Sequence, residues 1–283
     1  MMNQEHFKEL SQKYSRKYNP EGSLLRKNQE ELTKILQVLA DICDKNGIKW
    51  WLSSGTLLGA ARHKGFIPWD DDIDIVVMRK DFKKLKKILI SMESDEYFTQ
   101  CMQTDIEYVN VFMKFRKKGT FVDTLNRRTA NYKHAGYFID IFCLEYTNEP
   151  CAWLAKRLYH SLIHPSIYIK KKWLRRVLIR LAEGLMFGLF MPVIRLFGKI
   201  NPKHEYHYEL GSGWADHVFY MKDTFPLGTA EFEGGIYPAP KDIDAYLTNV
   251  YGDWRQIPDD TVIMKSLHSK VYLDEIYGDT WSR

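Results

Sequence analysis

The 283-residue sequence is poor in cysteine, and its four (Cys43, Cys101, Cys143 and Cys151) form neither a CxxC pair nor a Cys/His zinc spacing. A disulfide-stapled scaffold and a zinc module are therefore disfavoured, and the four read as small core residues in a reducing compartment. No uninterrupted apolar run reaches the roughly 18–20 residues that span a bilayer; the best is Gly184–Ile194. The start, MMNQEHFKELSQKYSRK, is polar and charged, unlike a secretory signal. The expectation is a cytoplasmic protein, soluble or peripheral at the inner face of the cell membrane. Acidic residues are scarce in one region only. Between Cys151 and Ile200 ten Lys and Arg face the single acid Glu183, a balance of +9 in a chain of net +5, which leaves the remainder at −4. With 8 Trp and 17 Tyr, the chain has the aromatic content of a packed domain rather than a disordered one.

What is present centres on Trp50–Met78, WWLSSGTLLGAARHKGFIPWDDDIDIVVM. The apolar run Ile48–Leu52 predicts a buried strand, and Ser53-Ser54-Gly55-Thr56 a tight turn opening a short helix to Arg62. Asp72-Ile73-Asp74-Ile75-Val76-Val77 predicts a second strand, whose alternation puts Asp72 and Asp74 on one face and Ile73, Ile75 and Val77 in the core. Two neighbouring carboxylates repel unless a divalent cation neutralises them. An all-oxygen set of this kind suits Mg²⁺ or Mn²⁺ with a phosphate-bearing substrate, and the helix start at Ser54, Gly55 and Thr56 offers N–H groups to a phosphate. Asp70 and Asp71 precede the alternation and are expected to orient the loop or accept backbone N–H groups.

Residues 1–26 read as a polar lead-in with a turn at Asn19–Gly22, followed by a structural helix over Lys27–Asn46. Asp81–Ser91 predicts a surface helix with a solvated lysine face. Strands are expected around Tyr97–Gln103 and Val109–Lys117. The second places Lys114 and Arg116 on one face, either to grip a diphosphate or as solvated edge residues. Gly136–Glu145 reads as an apolar central strand carrying one acid, Asp140. A lone buried carboxylate is costly, so either it has an Arg or Lys partner or it is a third acid beside Asp72 and Asp74.

The basic segment contains Leu174, Val177, Leu178, Leu181 and Leu185 opposite Lys172, Arg175, Arg176 and Arg180. Two readings of this amphipathic helix stand. It lies on an anionic membrane surface, or it packs apolar side inward with a solvated basic side. Nucleic acid fits less well, because the basic residues share a helix with a large apolar face and lack an interleaved stacking platform. Further on, Phe232–Pro240 reads as a rigid loop before a helix Asp242–Tyr251. Asp242 and Asp244 are capping residues there, and Glu233, beside two glycines, is a ligand candidate. Trp50, Trp69 and Trp254 are available as an aromatic wall for a quaternary ammonium, although aromatic residues are more often core.

SSGTLLGAARHKGFIPWDDDIDI, HAGYFIDIF and FEGGIYPAPKDIDAYLTNVYGDWRQIP together resemble the LicD/fukutin family of phosphotransferases, on the nucleotidyltransferase fold. The resemblance covers about residues 30–270, apart from much of 151–205. Two departures, Cys143 where the family often has proline and Pro258-Asp259 for a late proline pair, bear on specificity and spare every acid. The resemblance implies an α+β fold, a nucleotidyltransferase-like mixed β-sheet flanked by helices with a helical basic insertion. It is read as a lead-in over 1–26, a catalytic core over 27–150, the insertion over 151–205 and a completing part over 206–283. It implies a magnesium-dependent transfer of a phospho-alcohol, phosphocholine first, from a CDP-linked donor to a glycan hydroxyl of a teichoic acid, lipopolysaccharide or similar polysaccharide, or its lipid-linked precursor. Asp72 and Asp74 would hold the metal, and Asp140 would complete the site or act as base. Ser54, Gly55, Thr56, Arg62, Lys114, Arg116 and Glu233 would contact substrate. Nucleotidyl transfer from an NTP, with pyrophosphate release, and a non-catalytic glycan- or membrane-binding protein are the competing readings.

Overall fold

The computed structural model describes residues 4–92, 94–123, 125, 131–278 and 281. In chain order it runs α1 (Gln4–Tyr18), α2 (Leu24–Lys45), β1 (Trp50–Leu52), α3 (Ser54–His63), β2 (Asp74–Met78), α4 (Arg79–Ser91), β3 (Tyr97–Gln100), β4 (Met113–Lys117), β5 (Phe138–Tyr146) and α5 (Glu149–Leu162). After α6 (Lys172–Leu185), a π-helical turn over Met186–Phe190 and α7 (Met191–Gly198) come β6 (Glu205–Tyr208), β7 (Phe219–Tyr220) and α8 (Met221–Thr224). The hairpin β8 (Gly228–Phe232) and β9 (Gly235–Ala239) then leads to α9 (Ile243–Tyr251), α10 (Asp260–Ser266) and α11 (Lys270–Tyr277).

The sheet follows the order β1-β2-β5-β4-β3, with β6 pairing the end of β5 and β7 pairing β6. Among the described residues β2 and β5 are the one parallel pair and the other pairs are antiparallel, so the sheet is mixed and flanked by helices, the α+β architecture expected. The register is the feature that matters for function. Asp74 pairs with Asp140 across β2 and β5, and Lys114 pairs with the same Asp140 from β4.

Apolar residues at helical spacing bury one stripe of α2 (Leu32, Ile35, Leu36 and Leu39) against the core that also holds Trp51, Ile75, Phe115 and Ile141. Each such side chain contributes about 1.5–3 kcal/mol by leaving water. Ser23 caps α2, its Oγ accepting from the Arg26 N–H. All four cysteines are buried and unbridged.

Three stretches fold differently from the sequence reading. The polar lead-in contains a full helix, α1, which packs Tyr14 and Tyr18 edge-on against Trp69. The rigid loop expected over Phe232–Pro240 is instead half of a hairpin. Its two-strand ladder tolerates Pro238, since a proline without an N–H is acceptable where a strand has a free side. Residues 151–198 build a second apolar cluster of Tyr159, Ile163, Ile179, Met186, Met191 and Ile194 with Val109 and Leu210, and Tyr159 Oη donates to the Val109 carbonyl. The basic helix departs from both expected faces: Ile179 is buried and Arg176 and Arg180 are exposed, but one cation lies inside and several apolar side chains lie outside. Arg175 is buried, whereas Trp173, Val177, Leu181 and Leu185 are exposed. A glutamate partner explains the buried cation: Arg175 Nε donates to Glu107 at 2.8 Å.

Candidate functional site

The site is assembled where three strands meet one turn. Ser53 follows β1 and donates its N–H to the Asp74 carbonyl, while Thr56 Oγ1, in the first turn of α3, accepts the Asp74 N–H at 2.8 Å. The turn thus fixes the first residue of β2 through its backbone. Ser54 takes a positive φ of 48° and exchanges a 2.9 Å hydrogen bond with the Tyr208 hydroxyl on β6. Gly55 is needed for a close approach: a Cβ there would stand 2.6 Å from Asp70 Oδ2. The α3 start that the sequence offers to a phosphate therefore lies against a carboxylate, Asp70.

Asp72, Asp74 and Asp140 each bring a carboxylate oxygen within 4.8 Å of the others. Asp140 sits between charges of both signs. Lys114 Nζ donates to its two oxygens at 2.5 and 2.8 Å, and lies 3.4 Å above the Phe138 ring. Both sequence readings of Asp140 hold at once, because it has a lysine partner and is also the third acid. Burial pushes Asp72 up to about 6, and burial with the neighbouring acids holds Asp70 and Asp74 well above the ordinary carboxylate range. Burial also lowers the Lys114 ammonium. A hard divalent cation with oxygen ligands suits these donors, since it would neutralise charge that burial and, after it, mutual repulsion disfavour.

A second group overlaps the first: Asp71, Asp72 and His268 also fall within 4.8 Å of one another. Asp71 accepts from the His268 N–H and faces its Nδ1 at 2.9 Å; this hydrogen bond holds the imidazole up at about 10. The loop bearing Asp70 and Asp71 is pinned from behind. Gln29 Nε2 donates to the Asp70 carbonyl and Asn28 Nδ2 to that of Asp71, from polar positions buried on α2.

Four expected contacts fall differently. Arg116 is buried one strand step beyond Lys114, where it donates to Gln100 Oε1 and the Gly136 carbonyl. Arg62 is buried and donates to the carbonyls of Trp254 and Gln256, so it ties α3 to the C-terminal part instead of reaching a phosphate. Glu233 pairs with Arg26 at 2.6 Å and accepts the Phe66 N–H, which anchors the hairpin tip to the loop after α3. Trp50, Trp69 and Trp254 are core, as their size favours.

An aromatic surface not picked out in the sequence stands beside Asp140. Phe142, two residues on and on the same strand face, packs 4.7 Å from Phe112 and 5.4 Å from Trp214, and Tyr208 adjoins both Phe142 and Trp214. Trp214 is 41% exposed, so this wall reaches solvent next to the acids. His268, Asn28, Gln29, Tyr208 and Trp214 carry no local motif; their partners among the acids, Ser54 and Phe142 lie tens to hundreds of residues away.

The model of the family described as LicD/FKTN/FKRP, nucleotidyltransferase domain, matches residues 47–175, which include all three acids and Lys114. The chain is similar to the lipopolysaccharide cholinephosphotransferase LicD of Haemophilus influenzae, 27% identical over 252 residues that cover 83% of this chain and 92% of that protein. It is also similar to an uncharacterised protein of Rickettsia prowazekii, 34% identical over 41% of this chain and 43% of that protein. The human ribitol 5-phosphate transferase FKRP is 38% identical over 50 residues, 18% of this chain and 10% of that protein.

Proposed function

Residues 47–175 are a LicD/fukutin-family nucleotidyltransferase domain, and from that premise we propose that this phosphotransferase moves phosphocholine from CDP-choline to a hydroxyl of a glycan or its lipid-linked precursor, releasing CMP. The observation that carries the reading is the meeting of Asp72, Asp74 and Asp140 from strands distant in sequence.

Asp72, Asp74 and Asp140 would hold Mg²⁺ or Mn²⁺, which when bound supplies charge neutralisation for the donor's diphosphate. The protein's own groups do the rest. Lys114 holds Asp140 in orientation through both carboxylate oxygens and provides positive charge where negative charge gathers on the leaving nucleotide. Asp140, at the junction of the acids and the aromatic wall, would complete the metal site or else receive the proton of the attacking hydroxyl. Thr56 and Ser53 keep Asp74 in register by bonding its backbone. His268 steadies Asp71 and, 3.9 Å from Asp72, lowers the repulsion within the cluster.

The choice of choline rests on the rings. Phe112, Phe142, Tyr208 and Trp214 offer π-faces beside Asp140 that suit a quaternary ammonium; the two phenylalanines have no hydrogen bonds to offer a polyol, and the Tyr208 hydroxyl is already engaged by Ser54. The similarity to the Haemophilus influenzae lipopolysaccharide cholinephosphotransferase agrees with that choice.

Release of CMP from CDP-choline, CDP-ribitol and CDP-glycerol with Mg²⁺ and a phosphate-accepting glycan tests the reading. Faster release from CDP-choline supports it. Pyrophosphate release from CTP with a small hydroxyl acceptor, and no CMP from any of the three donors, would replace it with nucleotidyl transfer.

A further inference from the structure

The segment from Lys172 to Gly198 forms one continuous helical rod of 27 residues, about 40 Å long at 1.5 Å per residue. Its inner side is committed to the protein. Arg175 bonds Glu107, Arg195 bonds Glu145, and Ile179, Met186, Met191 and Ile194 fill the second apolar cluster. An apolar stripe runs along its outer side, where Trp173, Val177, Leu181, Leu189, Val193 and Phe197 are 66, 47, 65, 54, 47 and 57% exposed, with Lys172, Arg176 and Arg180 exposed on its first half. A surface helix of a globular protein normally shows charge to water and apolar residues to the core; here the outer stripe is the apolar one. Scattered apolar side chains on a surface need no explanation, but a row this long marks an interaction face.

We propose that this outer stripe docks the protein on an anionic lipid bilayer, with the helix lying in the plane of the interface. The length and composition alone would also suit a helix that crosses the membrane. The inward ion pairs argue for the planar arrangement, because one side of the rod stays packed on protein from end to end. Charge selects the lipid. Lys170, Lys171 and Lys172 are exposed at one end of the rod, and Lys199 and Lys203 at or beyond the other. Between the rod and α4 a cleft of about 530 Å³ is lined by the cations Arg79, Lys83, Lys86, Arg180 and Arg195 against two acids, Glu183 and Glu209. A basic rim around an apolar stripe matches phosphate headgroups above acyl chains. A second copy of the chain would set the same positive rim against itself, a poor match. The proposal rests on this surface and is independent of the chemistry at the acid cluster.

Flotation of the full chain with vesicles tests it, using phosphatidylcholine alone and phosphatidylcholine with about one-third phosphatidylglycerol. The expected result is binding to the anionic vesicles, at least ten-fold weaker on phosphatidylcholine alone and weakened by added salt. The double variant Leu181→Glu/Leu189→Glu should bind at least ten-fold less while melting at the wild-type temperature, since both side chains are exposed. Absence of wild-type binding to anionic vesicles, or equal binding by the double variant, would overturn the proposal. So would resistance of membrane-bound protein to alkaline extraction, the mark of a spanning helix. A lipid-free dimer that the same two substitutions dissociate would assign the face to a second copy instead.

Discussion

Asp140 shows how one register decides a site. It faces Asp74 on one side and Lys114 on the other, so it has an ion-pair partner without being removed from the acid group. Asp74→Asn keeps the shape of the strand but removes a charge from the cluster. Turnover, measured as CMP release, should fall on the order of a thousand-fold, while the melting temperature holds or rises. Lys114→Met should cost about 3 kcal/mol in chemical denaturation by stranding a buried carboxylate, and adding Asp140→Asn should recover much of that loss. A pH effect arises at the far end of β5. Burial and nearby Glu145 push Glu209 up to about 8, and its Oε2 has no partner. Between the ordinary carboxylate range and pH 8 the unfolded chain has released this proton and the folded chain still holds it, so stability falls as pH rises through that window. Glu209→Gln should therefore stabilise by roughly 2 kcal/mol at pH 8 and by little at pH 4.5, as read from thermal melts. The acids were legible because strand alternation names the face on which a carboxylate lies. Arg116 was not, because alternation gives the face and not the position along it. Arg116 stands level with Phe138, one step short of Asp140, and bonds Gln100 there. His268 was invisible for a simpler reason: its partner Asp71 is 197 residues away and no spacing connects them.

At the scale of elements, β1, α3 and β2 followed from their sequence pattern, while the hairpin β8–β9 was hidden by its glycines and prolines. Those residues usually signal a loop, yet an isolated two-stranded ladder accommodates them at its tip and free edge. The hairpin matters for function through Glu233, which holds the loop after α3 from beneath. Glu233→Ala should lower the melting temperature, by about 2 kcal/mol of lost stability, with little change in KM. A ligand-binding glutamate would give the opposite split. Helix α3 itself depends on Gly59, whose added Cβ would run into the Gly65 carbonyl and the Ile67 N–H. Gly59→Ala is expected to cost about 2 kcal/mol and displace the loop that leads to Asp70, seen as lower melting temperature together with lower turnover. The basic helix was legible as an element and as an amphipath, but not in its orientation. Composition gives two faces, and the partner acid Glu107 decides that Arg175 turns inward while Arg176 and Arg180 stay exposed.

For the whole molecule, charge and architecture are segregated. The parallel pair β2–β5 brings acids from separate parts of the chain to one end of the sheet. The positive balance of 151–200 is carried on the flank formed by α5 to α7. The central claim is that Asp72, Asp74 and Asp140 together hold one divalent cation. Calorimetric titration of the metal-stripped protein with Mn²⁺ in the presence of CDP-choline tests it most directly, on the wild type and on Asp72→Asn, Asp74→Asn and Asp140→Asn. The account predicts one site per chain in the wild type, weakened at least ten-fold by each substitution, a loss of about 1.4 kcal/mol or more. Binding of Mn²⁺ with unchanged affinity by all three folded variants would contradict it.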